Sequence, residues 1–203
     1  MTSSPWPNQK KAAFCISVDV DADSPLLWRM RDHNKILYIS EIEQRQYGIR
    51  IGIDAICELF RKFDLKATFF VPAIIAERNE KLLNKFLSQG HEIGLHGYAH
   101  EAVCDITDSE FTIALERSIE VFERLTGRRP RGFRSPGWEM TNHMLSELKR
   151  FGLYDSSLAG SDHPYSINGV VEVPVSWSRE DTSRFKMTGL NDRWPPFSPK
   201  YIL

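Results

Sequence analysis

With 203 residues, 41% of them hydrophobic and 26% charged, the chain suits one globular domain and excludes a disordered or fibrous class. A formal net charge of -1, with no strongly basic run, gives no electrostatic reason to expect nucleic acid or an anionic membrane as partner; a homo-oligomer is left open. No window approaches the roughly 18 consecutive apolar residues of a membrane span, and the N-terminus lacks the long apolar stretch of a secretory leader, so a cytoplasmic location is expected.

In chain order, residues 1–11 read as a flexible arm and 12–203 as the folded domain. AAFCISVDV (12–20) predicts a short buried strand that ends in acids. Residues 24–50 are charged and show little periodicity, as expected of an irregular insertion that serves a site. Ile53, Ile56, Leu59, Phe60 and Phe63 recur at helical spacing over 52–63. KATFFVPA (66–73) predicts a strand closed by Pro72, NEKLLNKFLSQG (79–90) an amphipathic helix with Gly90 past its end, and HEIGLH (91–96) another strand. The clearest helix spans 108–127, with Asp108 as its expected cap and Phe111, Leu115, Ile119 and Phe122 on one face. RGFRSP (131–136) reads as a strand, 141–152 as a helix stopped by Gly152, and 169–176 as a β-rich segment.

Strands that alternate with helices predict an α/β fold with a parallel sheet. The reactive residues all fall at the carboxyl ends of predicted strands, where (β/α) barrels carry their sites. Cys15, Cys57 and Cys104 are odd in number and include no C-x-x-C pair, so reduced, mostly buried thiols are expected. Cys104 lies four residues after His100 and is a conceivable soft ligand.

Asp19 and Asp21 are two apart on a strand, which turns both carboxylates to one side; Asp23 adds a third acid. A turn or helix cap near Asp21 or Asp23 is the competing reading. His96 and His100 form an H-x3-H pair that brings two imidazoles together if the chain coils after the strand. A carboxylate from the first strand would complete a three-ligand set with open positions for water and substrate, the arrangement of a catalytic metal site. Non-haem iron oxygenases share that ligand set, but they sit on all-β folds, which the alternating pattern disfavours. Arg134 could orient an acid, and Trp138 could wall a groove.

Taken together, SVDVD (17–21), GHEIGLHGYAHE (90–101) and GFRSPGW (132–138) resemble the polysaccharide deacetylase (NodB-homology) family, carbohydrate esterase family 4; KATFFVPA is similar to its second strand. The resemblance implies a distorted (β/α) barrel. It implies Asp19 as general base, Asp21, His96 and His100 as ligands of a divalent metal (zinc on ligand type), and Arg134 as the residue that orients Asp19. It also places Trp138, Tyr98 and Glu101 at the substrate. His91 and Glu92 match the pattern too, but near the start of their strand, and read as structural. The implied reaction is hydrolysis of a non-peptide carbon–nitrogen bond, above all N-deacetylation of an acetamido sugar or a peptidoglycan-type carbohydrate. The Asp-x-Asp spacing and HGYAHE resemble a branch that holds intracellular peptidoglycan-deacetylase-like proteins and metal-poor or metal-free allantoinase-like and cyclic-imide hydrolases. The family's late histidine, a general acid, has no clear counterpart; His163 is the only histidine after His143. The family continues beyond the equivalent of FSPKYIL (197–203), so an incomplete barrel, or a truncated remnant without turnover, is a second expectation.

Overall fold

A computed structural model describes residues 6, 10–31 and 38–181. The arm expected over 1–11 lies almost wholly outside these residues, and FSPKYIL lies outside them.

Among the described residues one seven-stranded sheet forms from β1 (Ser17–Asp19), β2 (Thr68–Val71), β3 (Glu92–Leu95), β4 (Gly132–Phe133), β5 (Tyr154–Asp155), β6 (Tyr165–Ile167) and β7 (Val170–Glu172). The order is β1-β2-β3-β4-β5-β7-β6, and every pairing is parallel except β6 with β7. Strands that follow one another in space as in sequence are what βα units produce. The expected α/β class with a parallel sheet is therefore present.

The helices are α1 (Ser24–Arg29), α2 (Ile39–Tyr47), α3 (Ile53–Lys62), α4 (Ala73–Arg78), α5 (Lys81–Ser88), α6 (Asp108–Thr126) and α7 (Asn142–Phe151). The stripe of α6 is buried as its spacing requires: Phe111, Leu115, Ile119 and Phe122 all face the core. Its cap is Thr107, not Asp108. The Thr107 hydroxyl accepts from the Glu110 backbone and the Glu110 side chain accepts from the Thr107 backbone, a reciprocal box that leaves Asp108 in the first turn. At the centre of the core the Phe69 and Phe86 rings stack 3.9 Å apart, both 0% exposed. Truncating a ring so placed typically costs about 3–5 kcal/mol.

Three further expectations need correction. The strand expected over 12–20 pairs only at Ser17–Asp19, and Phe14 is 84% exposed. Within the described residues β1 pairs on one side only, so its apolar run is not enclosed. The stretch 24–50 is not irregular where described; it holds α1 and α2, and α2 runs through a π-helical turn (Gly48–Gly52) into α3. No residue of α2 is buried, so it carries no apolar stripe for a periodicity reading to find. Of the cysteines only Cys57 is buried; Cys15 and Cys104 are exposed.

Candidate active site

The parallel sheet lines up the carboxyl ends of its strands, and the polar residues gather there. Asp19 ends β1. Val20 turns into the core, 4% exposed, with its N–H donated to the Phe70 carbonyl at 2.8 Å. Alternation therefore sends Asp19 and Asp21 to the same side. The Ser24 hydroxyl and N–H both donate to the Asp21 carbonyl, at 2.7 and 3.0 Å, and fix the backbone there. Asp23, the third acid, is buried and lies 3.5 Å from Arg78.

His96 is the first residue after β3, 2% exposed. Its Nδ1 lies 2.8 Å from the Arg134 carbonyl, an acceptor, so Nδ1 carries the hydrogen. The Nε2 lone pair of the neutral ring then points at Asp21 Oδ1, 3.3 Å away. His100 arrives by a tight turn rather than a helix. Gly97 takes φ +71°, where a Cβ would come within 2.5 Å of Glu101 Oε2. His100 itself sits at φ +60°, an uncommon conformation for a residue with a side chain. Glu101 holds the turn: its carboxylate accepts from the N–H groups of Tyr98 (3.0 Å) and Ala99 (2.8 Å). The His100 Nε2 comes 3.6 Å from Asp21 Oδ2, and the two imidazoles stand edge to face, 5.0 Å between centroids.

One donor atom from each of Asp21, His96 and His100 lies within 4.8 Å of the others. Asp21 Oδ1 is buried without a hydrogen-bond partner. A carboxylate oxygen thus faces the lone pair of a neutral imidazole, two acceptors with nothing to share, which is the environment a cation satisfies. Burial alone would push the Asp21 carboxyl up; the His100 and His96 rings outweigh it and hold the group far below the usual carboxylate range. Burial would likewise pull His96 down, and Asp21, Asp19 and the Arg134 carbonyl turn the balance upward. A proton and a metal ion therefore compete for the same place. Cys104 does not join this group; its thiol is exposed and directed to Asp105.

Arg134, the first residue after β4, is 5% exposed. Its guanidinium donates to Asp19 Oδ1 (2.8 Å), to the Ser156 carbonyl (2.7 Å) and to the Ser156 hydroxyl (2.8 Å), and its Cζ lies 4.3 Å from the Phe70 ring centroid. A planar fork held at three points fixes the carboxylate it touches. Trp138 lies beyond it on a one-turn 3-10 helix (Pro136–Trp138), 4.4 Å between ring centroids from Trp177. Trp177, 60% exposed, was not foreseen: nothing in its surroundings in sequence marks it. Ser156 was missed as well, because the strand it follows is two residues long and shows no period.

Other expected residues have different partners. The Tyr98 hydroxyl donates to Glu77 Oε2 at 2.7 Å, and Arg117 stacks on its ring. Glu101 is spent on the turn. Both belong to the frame behind the histidines. His163 stacks on Trp6, ring centroids 5.0 Å apart, in the loop before β6. His91 and Glu92 are structural as expected. The His91 Nδ1 accepts from the Ala67 N–H at 3.3 Å, and Glu92 accepts from the Thr68 (2.7 Å) and Tyr154 (3.1 Å) hydroxyls.

Residues 48–155, just over half of the chain, match the family model for polysaccharide deacetylase; Asp19 and Asp21 precede the matched segment. A peptidoglycan deacetylase of Helicobacter pylori is 34% identical over 176 residues, which cover 86% of this chain and 58% of that protein. A candidate polysaccharide deacetylase from Mycobacterium smegmatis superposes with a TM-score of 0.83 at 33% identity, covering 97% of this chain and 69% of that one. A PuuE allantoinase shares the fold, with a TM-score of 0.77 at 23% identity over 92% of this chain and 68% of that one. The chain spans little more than half the length of the Helicobacter relative. Among the described residues no helix is long and apolar enough to cross a membrane. From the match over 48–155, the chain belongs to the polysaccharide deacetylase family.

Proposed function

We propose that residues 12–203 form one NodB-homology domain that hydrolyses the amide of an acetamido sugar in a metal-dependent reaction, with peptidoglycan-type carbohydrate as the substrate class. The observation that carries this reading is the convergence of Asp21, His96 and His100 within 4.8 Å, beside an Asp19 already held by Arg134. Asp21, His96 and His100 hold the ion, zinc by ligand type. When bound, a divalent ion supplies Lewis-acid polarisation of the acyl oxygen and acidifies a water.

The remaining work falls to the chain's own groups. Arg134 occupies Asp19 Oδ1, which leaves Oδ2 to take the proton from the attacking water. The Arg134 carbonyl keeps the His96 hydrogen on Nδ1, so Nε2 stays available as a ligand. Trp138 and Trp177, their rings tilted 49° to one another, give the sugar an aromatic wall.

The test is elemental analysis of the purified chain and of His96→Ala, together with acetate release from N-acetylated glucosamine oligomers. About one ion per chain, lost in the variant along with acetate release, supports the reading. Allantoin turnover without acetate release would move the chain to the allantoinase-like branch. An ion-free chain with neither activity would overturn the metal-dependent reading.

A further inference from the structure

At the ends of β5 and β7 two carboxyl groups lie entirely inside the protein. Asp155 and Glu172 are each 0% exposed and are register partners across the parallel β5–β7 pair. One oxygen of each is provided for. Asp155 Oδ1 accepts from the Ser157 hydroxyl at 2.7 Å, and Glu172 Oε1 accepts from the N–H groups of Ser157 and Leu158, both at 3.1 Å. The second oxygens, Asp155 Oδ2 and Glu172 Oε2, are buried with no hydrogen-bond donor from the protein.

No cation neutralises them among the described residues. Arg134 directs its guanidinium to Ser156 and Asp19, and on α7 Arg150 pairs with Glu116 and Glu147. Among the described residues Tyr165, register partner of Glu172 on β6, is a further titratable neighbour, and it brings no positive charge. Two ionised carboxylates side by side in a dry site are strongly unfavourable, whereas one proton held between the bare oxygens satisfies both.

We infer that Asp155 and Glu172 form a proton-sharing carboxyl pair that positions Arg134 and, through it, Asp19. The connection is short. Ser157, bonded to both carboxyls, accepts the Ser135 N–H on its hydroxyl at 2.8 Å. Ser156 lies between Asp155 and Ser157. Its hydroxyl donates to the Val173 carbonyl at 2.8 Å while accepting from Arg134, and its carbonyl accepts a second bond from Arg134. The carboxyl pair thus ties β5 to β7 at the point where the segment 156–157 grips the Arg134 loop. Burial, reinforced by Asp155, pushes the Glu172 carboxyl up to about 9, and burial pushes Asp155 upward as well, so the proton persists through neutral pH. Losing it sets two buried charges against each other and loosens the Ser156 grip. Both are positioning residues. The consequence for Asp19 rests on the role proposed for it above; the pair itself does not.

Glu172→Gln is the informative variant. Its amide N–H replaces the shared proton and its carbonyl replaces Oε1, so hydrogen bonding is kept while the proton shared between two carboxyls is lost. In carbon NMR of the full chain, the pair should hold one proton at neutral pH. The Arg134 Nε–H should resist solvent exchange in wild type at neutral pH and lose at least about tenfold more of that protection than the variant does as pH rises past about 9. Stability gives an independent reading. The unfolded chain carries ordinary carboxyls, near 3.8 and 4.5, and releases the proton that the folded state keeps. Stability present below those values is therefore lost as pH rises toward the folded value near 9, by up to about tenfold in the unfolding constant per pH unit. Glu172→Gln should lack that slope. None of these readings needs a substrate, so a failure here is distinct from a failure to deacetylate. Two ionised carboxylates at neutral pH, or the same alkaline dependence of the Arg134 Nε–H in both proteins, would overturn the inference.

Discussion

The two ends of the parallel strands use the same residue types for opposite purposes. At the amino ends, Glu92 accepts from the Thr68 and Tyr154 hydroxyls, and His91 accepts from a backbone N–H while its ring packs against Phe60 and Phe69. At the carboxyl ends, Asp21, His96 and His100 turn acceptors toward one another. A histidine and an acid near a strand end therefore say little alone. Between these two clusters the difference is that Glu92 and the His91 Nδ1 meet donors, whereas the donor atoms of Asp21, His96 and His100 face one another.

Exchanging the two histidines is the harshest test of that contrast. His96→Ala should abolish metal retention and turnover, whereas His91→Ala should keep the metal and lose thermal stability; elemental analysis beside a melting curve separates the two. Asp19→Asn should leave the metal in place and cut kcat by about 10²–10⁴, the usual range for losing a general base. Full activity in that variant would remove Asp19 from its role. Arg134→Lys keeps a charge but not the three-point fork, and a loss of about 10–100-fold in activity is expected, as for other groups that orient a site. The smallest effect concerns His91. Burial, with Lys66 adding to it, lowers its pKa in the folded state. The stability it contributes is present above the unfolded value of 6.5 and is lost as pH falls through the lower folded value. A chemical-denaturation series in mild acid should show this slope, and His91→Gln should flatten it.

Much of this arrangement was legible in the sequence. The apolar stripes of α5, α6 and α7 are expressed because each buries its stripe in the core, whereas of the five apolar positions expected in α3 Ile53 and Phe60 are buried while Leu59 and Phe63 are 49% and 60% exposed. Asp19, Asp21, His96, His100 and Arg134 were identifiable because each ends or follows a strand and carries a charge or a ligand that a buried strand end rarely keeps without use. Helix α2 was not legible, since a helix with no buried face leaves no period. Strands β4 and β5 are two residues long, too short to alternate, so Ser156 and the Asp155–Glu172 pair emerged only with the register that joins β5 to β7. Tyr98 and Glu101 belonged to the right motif but face the scaffold: a motif fixes which residues are near a site, not which way each side chain points.

The three candidate ligands differ in depth. The His96 side chain is 2% exposed, that of His100 17% and that of Asp21 37%. An ion seated among them would have His96 as its deepest ligand and the two more exposed side chains, His100 and Asp21, on its outer side. Removal by a chelator would then be stepwise and slow, governed by how often the outer two ligands let go together rather than by affinity alone. Two variants with equal affinity could differ widely in how long each keeps its ion.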